Sequence, residues 1–299
     1  MSAFGSTSSG NRANSIAPQD CNVPSAGNDG ISSLAWSPTA NFLVSTNWDS
    51  GVRCWEVQEQ GGQVRANPKA QVNHENSAPA LDCCFSNDGS TVFSVGADKA
   101  VRMWRLGETP PNNIAQQIGV HDAPAKSVGF LPSNLVVSGG WDRKLKFWDT
   151  RSPNPVGVID MPERVYDLDV RGNLMVVITA GRHIVTYNVG GSTPVEHSRK
   201  ESPLKFQSRC VSCFPDQTGF AIGSIEGRVG IQYVQKVPNK VRQQEKELFC
   251  VTKLFHAEVL TKLSRLHRTI LRSNAIDKIQ MCLVSMQLPF KTLSGLLRQ

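Results

Sequence analysis

Between Phe42 and Thr150 one pattern of apolar and polar positions occurs three times. Each copy is an apolar run ending in small residues, a three-residue polar break, and an alternating run ending in tryptophan. The copies are "FLVSTNWDSGVRCWEV" (Phe42–Val57), "TVFSVGADKAVRMWRL" (Thr91–Leu106) and "LVVSGGWDRKLKFWDT" (Leu135–Thr150). Alternation of period two around a break predicts strand, turn, strand. In every copy a Ser stands four residues before an Asp and a Trp six after it. The sets are Ser45/Asp49/Trp55, Ser94/Asp98/Trp104 and Ser138/Asp142/Trp148. Two weaker copies follow. "MVVITAGRHIVTYNV" has Gly181 for the Asp and Tyr187 for the Trp. "FAIGSIEGRVGIQYV" has Glu226 in its turn, and Tyr233 comes one residue late.

A further short strand precedes each copy: "ISSLAWSP", "ALDCCFSND", "AKSVGFLP", "VYDLDVRG" and "CVSCFPDQ". The turn positions 49, 98, 142, 181 and 226 give a period of 39 to 49 residues. That spacing predicts an all-β propeller of four-stranded blades, about five of them recognisable here. A turn Asp at a blade edge needs hydrogen-bonding partners. Two complete sets supply them: His74, Ser94, Asp98, Trp104 and His121, Ser138, Asp142, Trp148. These read as structural networks, because a catalytic Ser-His-Asp triad would not recur with the repeat.

The segments "ISSLAWSP", "WDSGVRCWEV", "KFWDTRSPNPV", "SPLKFQSRCVSCFPDQTGFAIGSIEGRVGI" and the early "FGSTSS" carry a resemblance to the WD-repeat family. Within it, they resemble the nuclear-pore-associated mRNA export factors, the Rae/Gle family, over about residues 1–236. The resemblance implies a seven-bladed, non-catalytic scaffold in nucleus, nuclear envelope and cytoplasm, without cofactor or metal. Its implied partners are a nucleoporin with a GLEBS motif, a spindle-checkpoint protein with a similar segment, and messenger ribonucleoprotein, contacted weakly and without sequence preference. A spindle role is implied as well.

Two surfaces are candidates for contact. Loops between the second and third strands project on one rim and carry Trp48, Lys99, Trp141, Arg143, Arg182, Glu226 and Arg228. Aromatic and basic side chains together can grip a peptide or stack on RNA. The tryptophans could equally cover the ends of neighbouring blades. "WDTR" places Trp148, Asp149 and Arg151 in the WD-x-R pattern by which some propellers dock the adaptor of a cullin ubiquitin ligase. An exposed Arg makes charge-assisted contacts there; alternatively Arg151 caps a strand.

Charge changes the picture in one region. The chain of 299 residues has a net charge of +7. Residues 237–299 hold 11 Lys and Arg against 4 Asp and Glu, so this tail carries the whole excess. Its apolar residues Leu248, Val251, Phe255, Val259, Leu263, Leu266 and Ile270 follow a helical period and predict a basic amphipathic helix. No Ser…Asp…Trp unit occurs in it. Three readings stand: a stretch without an evolved fold, a helix over the open edge of blade five, or a membrane- or calmodulin-binding helix. Residues 1–29, rich in Ser, Asn and Gly, predict a disordered arm. Blades one to five occupy 30–236.

The eight cysteines are scattered and suggest a reducing compartment. Cys210 and Cys213 form a lone CxxC without a second ligand pair. No secretory signal, membrane span, P-loop or dinucleotide fingerprint is expected.

Overall fold

The computed structural model describes residues 23–60, 63–107, 114–152 and 154–234, and the backbone of 248–250. Five four-stranded antiparallel sheets follow one another along the chain. Blade one holds β1 (Ile31–Trp36), β2 (Phe42–Asn47), β3 (Gly51–Gln60) and β4 (Gln63–Asn73). Blade two holds β5 (Ala80–Phe85), β6 (Thr91–Gly96), β7 (Ala100–Arg105) and β8 (Gln116–Val120). Blade three holds β9 (Ala125–Phe130), β10 (Val136–Gly140), β11 (Lys144–Trp148) and β12 (Pro155–Asp160). Blade four holds β13 (Val165–Arg171), β14 (Leu174–Thr179), β15 (His183–Asn188) and β16 (Val195–Glu201). Blade five holds β17 (Ser208–Cys213), β18 (Gly219–Ser224), β19 (Arg228–Tyr233) and β20 (Leu248–Cys250). The fold is an all-β propeller with five blades among the described residues.

Blades stack because their second strands are apolar on both faces. All six residues of β14 are buried, as are the five of β10. Val137, Leu145 and Phe147 of blade three share one core with Leu168, Val177, Val185 and Tyr187 of blade four. Burying both faces of each sheet favours a stacked ring over isolated sheets.

A polar belt crosses this apolar stack. The Asp82 carboxylate on β5 accepts from Ser33 Oγ of blade one at 2.7 Å and from Ser127 Oγ of blade three at 2.7 Å. It also accepts from the Val128 N–H at 3.0 Å. Ser127 Oγ lies 3.0 Å from Asp167 of blade four, whose other oxygen accepts the Val211 N–H of blade five at 2.8 Å. Asp169 likewise accepts the Cys213 N–H at 2.7 Å. The single Ser127 hydroxyl proton goes to Asp82, and Ser127 Oγ accepts the Leu168 N–H of blade four at 3.2 Å, so hydrogen bonds join the inner strands of all five blades. Asp82 is only 4% exposed, and removing it would strand buried donors on both neighbouring blades.

Each inner strand also carries a bulge near its start. The register shifts at Ser32, Leu81, Lys126, Tyr166 and Arg209. A bulge re-aims the extra side chain, and here it does so at the same height in all five blades.

Two ends of the chain depart from expectation. Residues 24–28 belong to the segment read as a disordered arm, yet they bond to blade one. The Trp55 indole donates to the Pro24 carbonyl at 2.8 Å, and Asn47 Nδ2 to the Ala26 carbonyl at 2.6 Å. The Asn28 N–H reaches Asp49 at 3.3 Å. Residues 1–22 lie outside the described residues. The predicted tail helix is corrected at its first residues. Leu248–Cys250 pair antiparallel with β19, Gly230 opposite Leu248 and Arg228 opposite Cys250. A short apolar triplet fits either period, and pairing satisfies the backbone groups on the free edge of β19. The rest of the expected helix lies outside the described residues.

Candidate functional site

The turns between second and third strands stand together on one face of the propeller. Each begins with a backbone N–H bonded to the entry of its own inner strand: Trp48 to Gly30, Ala97 to Pro79, Trp141 to Pro124, Ala180 to Arg164, and Ile225 to Gln207. This face therefore unites the turns, the strand entries and the bulged residues around the axis.

The turn conformation recurs as well. Its third residue has positive φ in all five blades: Ser50 (69°), Lys99 (69°), Arg143 (62°), Arg182 (64°) and Gly227 (74°). Glycine adopts this conformation without strain, whereas an L side chain costs about 1–2 kcal/mol. Only blade five uses glycine. Three of the other four blades hold a long cation there, where glycine would be conformationally cheaper. A cationic side chain retained at a strained position points to use of the side chain.

The rim residues fare differently. Trp48 is 53% exposed and Trp141 38%, so neither simply covers a neighbouring blade. Lys99 and Arg143 are exposed. Arg182 is committed to structure: it donates to the Leu204 and Lys205 carbonyls and pairs with Glu201 at 3.1 Å. Arg228 pairs with Glu226 at 3.5 Å, so these two offset each other. Sequence reasoning missed two apolar members of the face, Phe206 at 52% and Ile225 at 47% exposure. It also missed Arg209, whose guanidinium lies 4.3 Å from the Tyr166 ring centroid. The signal for Phe206 was its place in the polar entry "SPLKFQS", where no core strand calls for a phenylalanine.

The Ser-His-Asp groupings lie beneath this face. In blade three the Trp148 indole donates to Ser138 Oγ at 2.7 Å. Ser138 Oγ is 2.7 Å from His121 Nε2, and His121 Nδ1 is 2.9 Å from Asp142. The tautomer with its proton on Nδ1 completes a chain running Trp, Ser, His, Asp. Burial pushes the Asp142 carboxyl up. The His121 bond and charge, with the Asp122 and Lys144 N–H groups, outweigh it and leave the carboxyl below its ordinary value. Blade two repeats the arrangement: His74 Nδ1 is 3.0 Å from Asp98, and Nε2 is 2.9 Å from Ser94. Arg102 joins Asp98 at 3.1 Å, and Trp104 is buried. Ser138 and Ser94, with both histidines, are at most 3% exposed. A nucleophile must reach its substrate, and these hydroxyls cannot.

Blade one lacks the histidine. Ser45 bonds Asn47 at 2.8 Å, Asp49 pairs with Arg53 at 2.7 Å, and Trp55 turns to Pro24.

At the far end of blade three, Trp148 of the WDTR motif is 2% exposed and serves the network. The Asp149 carboxylate accepts from Arg151 Nη2 at 2.7 Å, which holds its carboxyl down at about 2. The Arg151 side chain is 87% exposed.

Among the described residues, no three His, Cys, Asp or Glu side chains are placed to hold a metal. Cys210 and Cys213 are buried on β17. No helix of the described residues is long and apolar enough to cross a membrane.

The family model described as WD domain, G-beta repeat matches residues 21–56, 68–105 and 114–149. Protein Rae1 of Drosophila melanogaster is 44% identical over 241 residues, covering 77% of this chain and 65% of the relative. The mRNA export factor of Macaca fascicularis is 43% identical over 263 residues, covering 81% of this chain and 68% of the relative. The chain belongs to the Rae1/Gle2 family of WD40-repeat mRNA export factors. The mRNA export factor GLE2 of Chaetomium thermophilum is 40% identical over 224 residues, covering 72% of this chain and 60% of the relative. The chain thus spans just under two thirds of the Drosophila relative. Two of these three relatives are named as mRNA export factors.

Proposed function

We propose that this chain acts as a non-catalytic scaffold in mRNA export at the nuclear pore. Its turn face docks the GLEBS-motif peptide of a nucleoporin, and its cations touch the RNA of the passing ribonucleoprotein. One observation carries this reading: exposed Trp48, Trp141, Phe206 and Ile225 share a face with exposed Lys99 and Arg143. Exposed aromatic anchors are the residues on which peptide interfaces concentrate their energy. The cations supply sequence-independent, salt-sensitive attraction to phosphate. A spindle-checkpoint protein with a similar segment would use the same anchors, which extends the proposal to the spindle. Nucleus, nuclear envelope and cytoplasm are the matching locations.

The test is a thermal melt of the 299-residue chain with and without a GLEBS peptide. A saturable rise in midpoint is expected, since only binding to the folded state raises it. No rise at saturating peptide would overturn the reading. For the RNA arm, Arg143→Gly should weaken binding to a single-stranded RNA at low salt and leave the melt unchanged or raised. Weaker binding at every salt concentration would point instead to a lost base contact.

Arg151 supports a second reading, a substrate receptor for a cullin ligase. Its 87% exposed side chain stands at the opposite end of blade three from the turn face. Arg151→Ala should reduce co-purification of the ligase adaptor and spare the GLEBS response. Unchanged co-purification removes this reading.

A further inference from the structure

The turn face holds a second set of cations, on the inner strands. The bulges of β9, β13 and β17 fall at Lys126, Tyr166 and Arg209. These three stand side by side on successive blades. Ser127 Oγ accepts the Leu168 N–H at 3.2 Å, and Asp167 accepts the Val211 N–H at 2.8 Å, which aligns the three strands just past their bulges. The Arg209 guanidinium lies 4.3 Å from the Tyr166 ring centroid.

The trio is a cation, a ring and a cation. A guanidinium lying on a ring keeps its N–H edge for another partner. Arg209 is exposed and Lys126 half-buried. Neither forms an ion pair or a side-chain hydrogen bond among the described residues. The acids closest to them in the strands are engaged in the belt: Asp167 accepts the Leu168 and Val211 N–H groups, and Asp169 accepts the Cys213 N–H. Glu163 and Arg164 stand together at the entry of β13 and offset each other. In blade three the Trp141 N–H bonds the Pro124 carbonyl, which ties the turn that bears Arg143 to the strand entry that bears Lys126. Lys99, Arg143, Lys126 and Arg209 thus form a band from the turn of blade two inward to blade five. Blade one does not extend it, since its Arg53 is paired with Asp49 at 2.7 Å.

We infer that single-stranded RNA follows this band inward, and that Arg209 and Lys126 together hold one of its phosphates across Tyr166. The inference rests on the RNA arm of the proposed function and assigns the path of the strand. A phosphodiester has two unesterified oxygens, which the edge of a guanidinium binds as a pair. Tyr166 is the positioning residue: its ring fixes the plane of Arg209 and so the direction in which that edge points.

The test is fluorescence anisotropy of the full chain with a labelled oligouridylate, between about 50 and 200 mM salt. Each phosphate neutralised on a single strand contributes about −0.7 to the slope of log K against log salt. Arg209→Ala and Lys126→Ala should each flatten the slope by about 0.7. Arg209→Lys keeps the charge and loses the paired bond. It should leave the slope unchanged and weaken binding about five- to tenfold at every salt concentration. Tyr166→Leu, checked by a melt, should do the same. If Lys99→Ala and Arg143→Ala flatten the slope while Lys126→Ala and Arg209→Ala do not, the path is overturned and the RNA reading stands. Absence of RNA binding at low salt overturns both. Equal affinity of Arg209→Lys and the parent chain overturns the role given to the Arg209–Tyr166 pair. Binding of an oligoglutamate as tight as that of the RNA overturns the assignment to phosphate.

Discussion

Blades three and four are neighbours with the same four-stranded backbone, yet they fill the same four places with opposite chemistry. Blade three uses His121, Ser138, Asp142 and Trp148. Blade four has Met161, Val177, Gly181 and Tyr187. The positions correspond: the Met161 N–H bonds the Arg143 carbonyl as the His121 N–H bonds the Lys99 carbonyl. Met161, Val177 and Tyr187 sit in one apolar core. Only the Tyr187 hydroxyl keeps a trace of polarity, 3.6 Å from Met161 Sδ. The polar chain is thus one solution to joining strand to strand, and blade one shows a third, in which Ser45, Asp49 and Trp55 are kept and each takes another partner: Asn47, Arg53 and Pro24. A buried ion pair or network can give way to apolar groups of similar volume at little cost, whereas half of one cannot.

That comparison can be broken most forcefully at Asp142. Asp142→Ala leaves the buried His121 N–H without its acceptor and should destabilise the chain by about 1–3 kcal/mol in urea unfolding. A change below 1 kcal/mol would mean the network does not hold the blade. Next, the quadruple replacement His121→Met, Ser138→Val, Asp142→Gly and Trp148→Tyr rebuilds blade three as blade four. It should cost less than Asp142→Ala alone, because no buried polar atom is left unpaired. Were it to cost the sum of its parts, the two sets would not be equivalent.

Acid should separate the blades. The Asp142 and Asp98 carboxyls lie below their ordinary value of 3.8 in the folded chain. In both, burial acts upward and is outweighed, chiefly by the neighbouring histidine. A depressed folded value means that the stabilisation is complete above the unfolded value and fades as pH falls through the folded one. Amide protection in blades two and three should therefore fall below pH 3.8 before that of β14 and β15. Simultaneous loss in all blades would show that the acids of the inner belt decide the matter instead. The smallest effect is expected at Tyr187→Phe, about 1 kcal/mol or less, since a hydroxyl-to-thioether bond is weak. Burial pushes that phenol up to about 12, so its contribution should not vary across neutral pH.

The same contrast explains what could be read in the sequence. Blades one to three announced themselves through Ser, Asp and Trp at fixed spacing. Blades four and five were legible from their turns and from Tyr187 and Glu226. Met161 was not, because a methionine in an apolar setting carries no sign of standing where a histidine stands elsewhere. Asp82 and Asp167 were visible as acids inside apolar strands. Their partners Ser127 and Val211 lie 45 and 44 residues away in the chain, and only the assembled ring brings them together. On the turn face, Trp48 and Trp141 were read and are exposed, whereas the commitment of Arg182 to Leu204 and Glu201 depends on a loop fold that periodicity does not describe. Phe206 and Ile225 were missed because each sits beside a repeat, outside its pattern.

The inner belt has a parity. Blades one and three present serine hydroxyls, Ser33 and Ser127; blades two and four present carboxylates, Asp82 and Asp167. The repeats are therefore not interchangeable parts. Deleting blade two would set hydroxyl beside hydroxyl, and deleting blade three would set carboxylate beside carboxylate, a juxtaposition that raises the proton affinity of the pair. Deleting both restores the alternation. Loss or gain of blades in pairs should thus be tolerated more readily than loss or gain of one. From within blades one to four, two blades are the smallest unit whose removal keeps hydroxyl facing carboxylate.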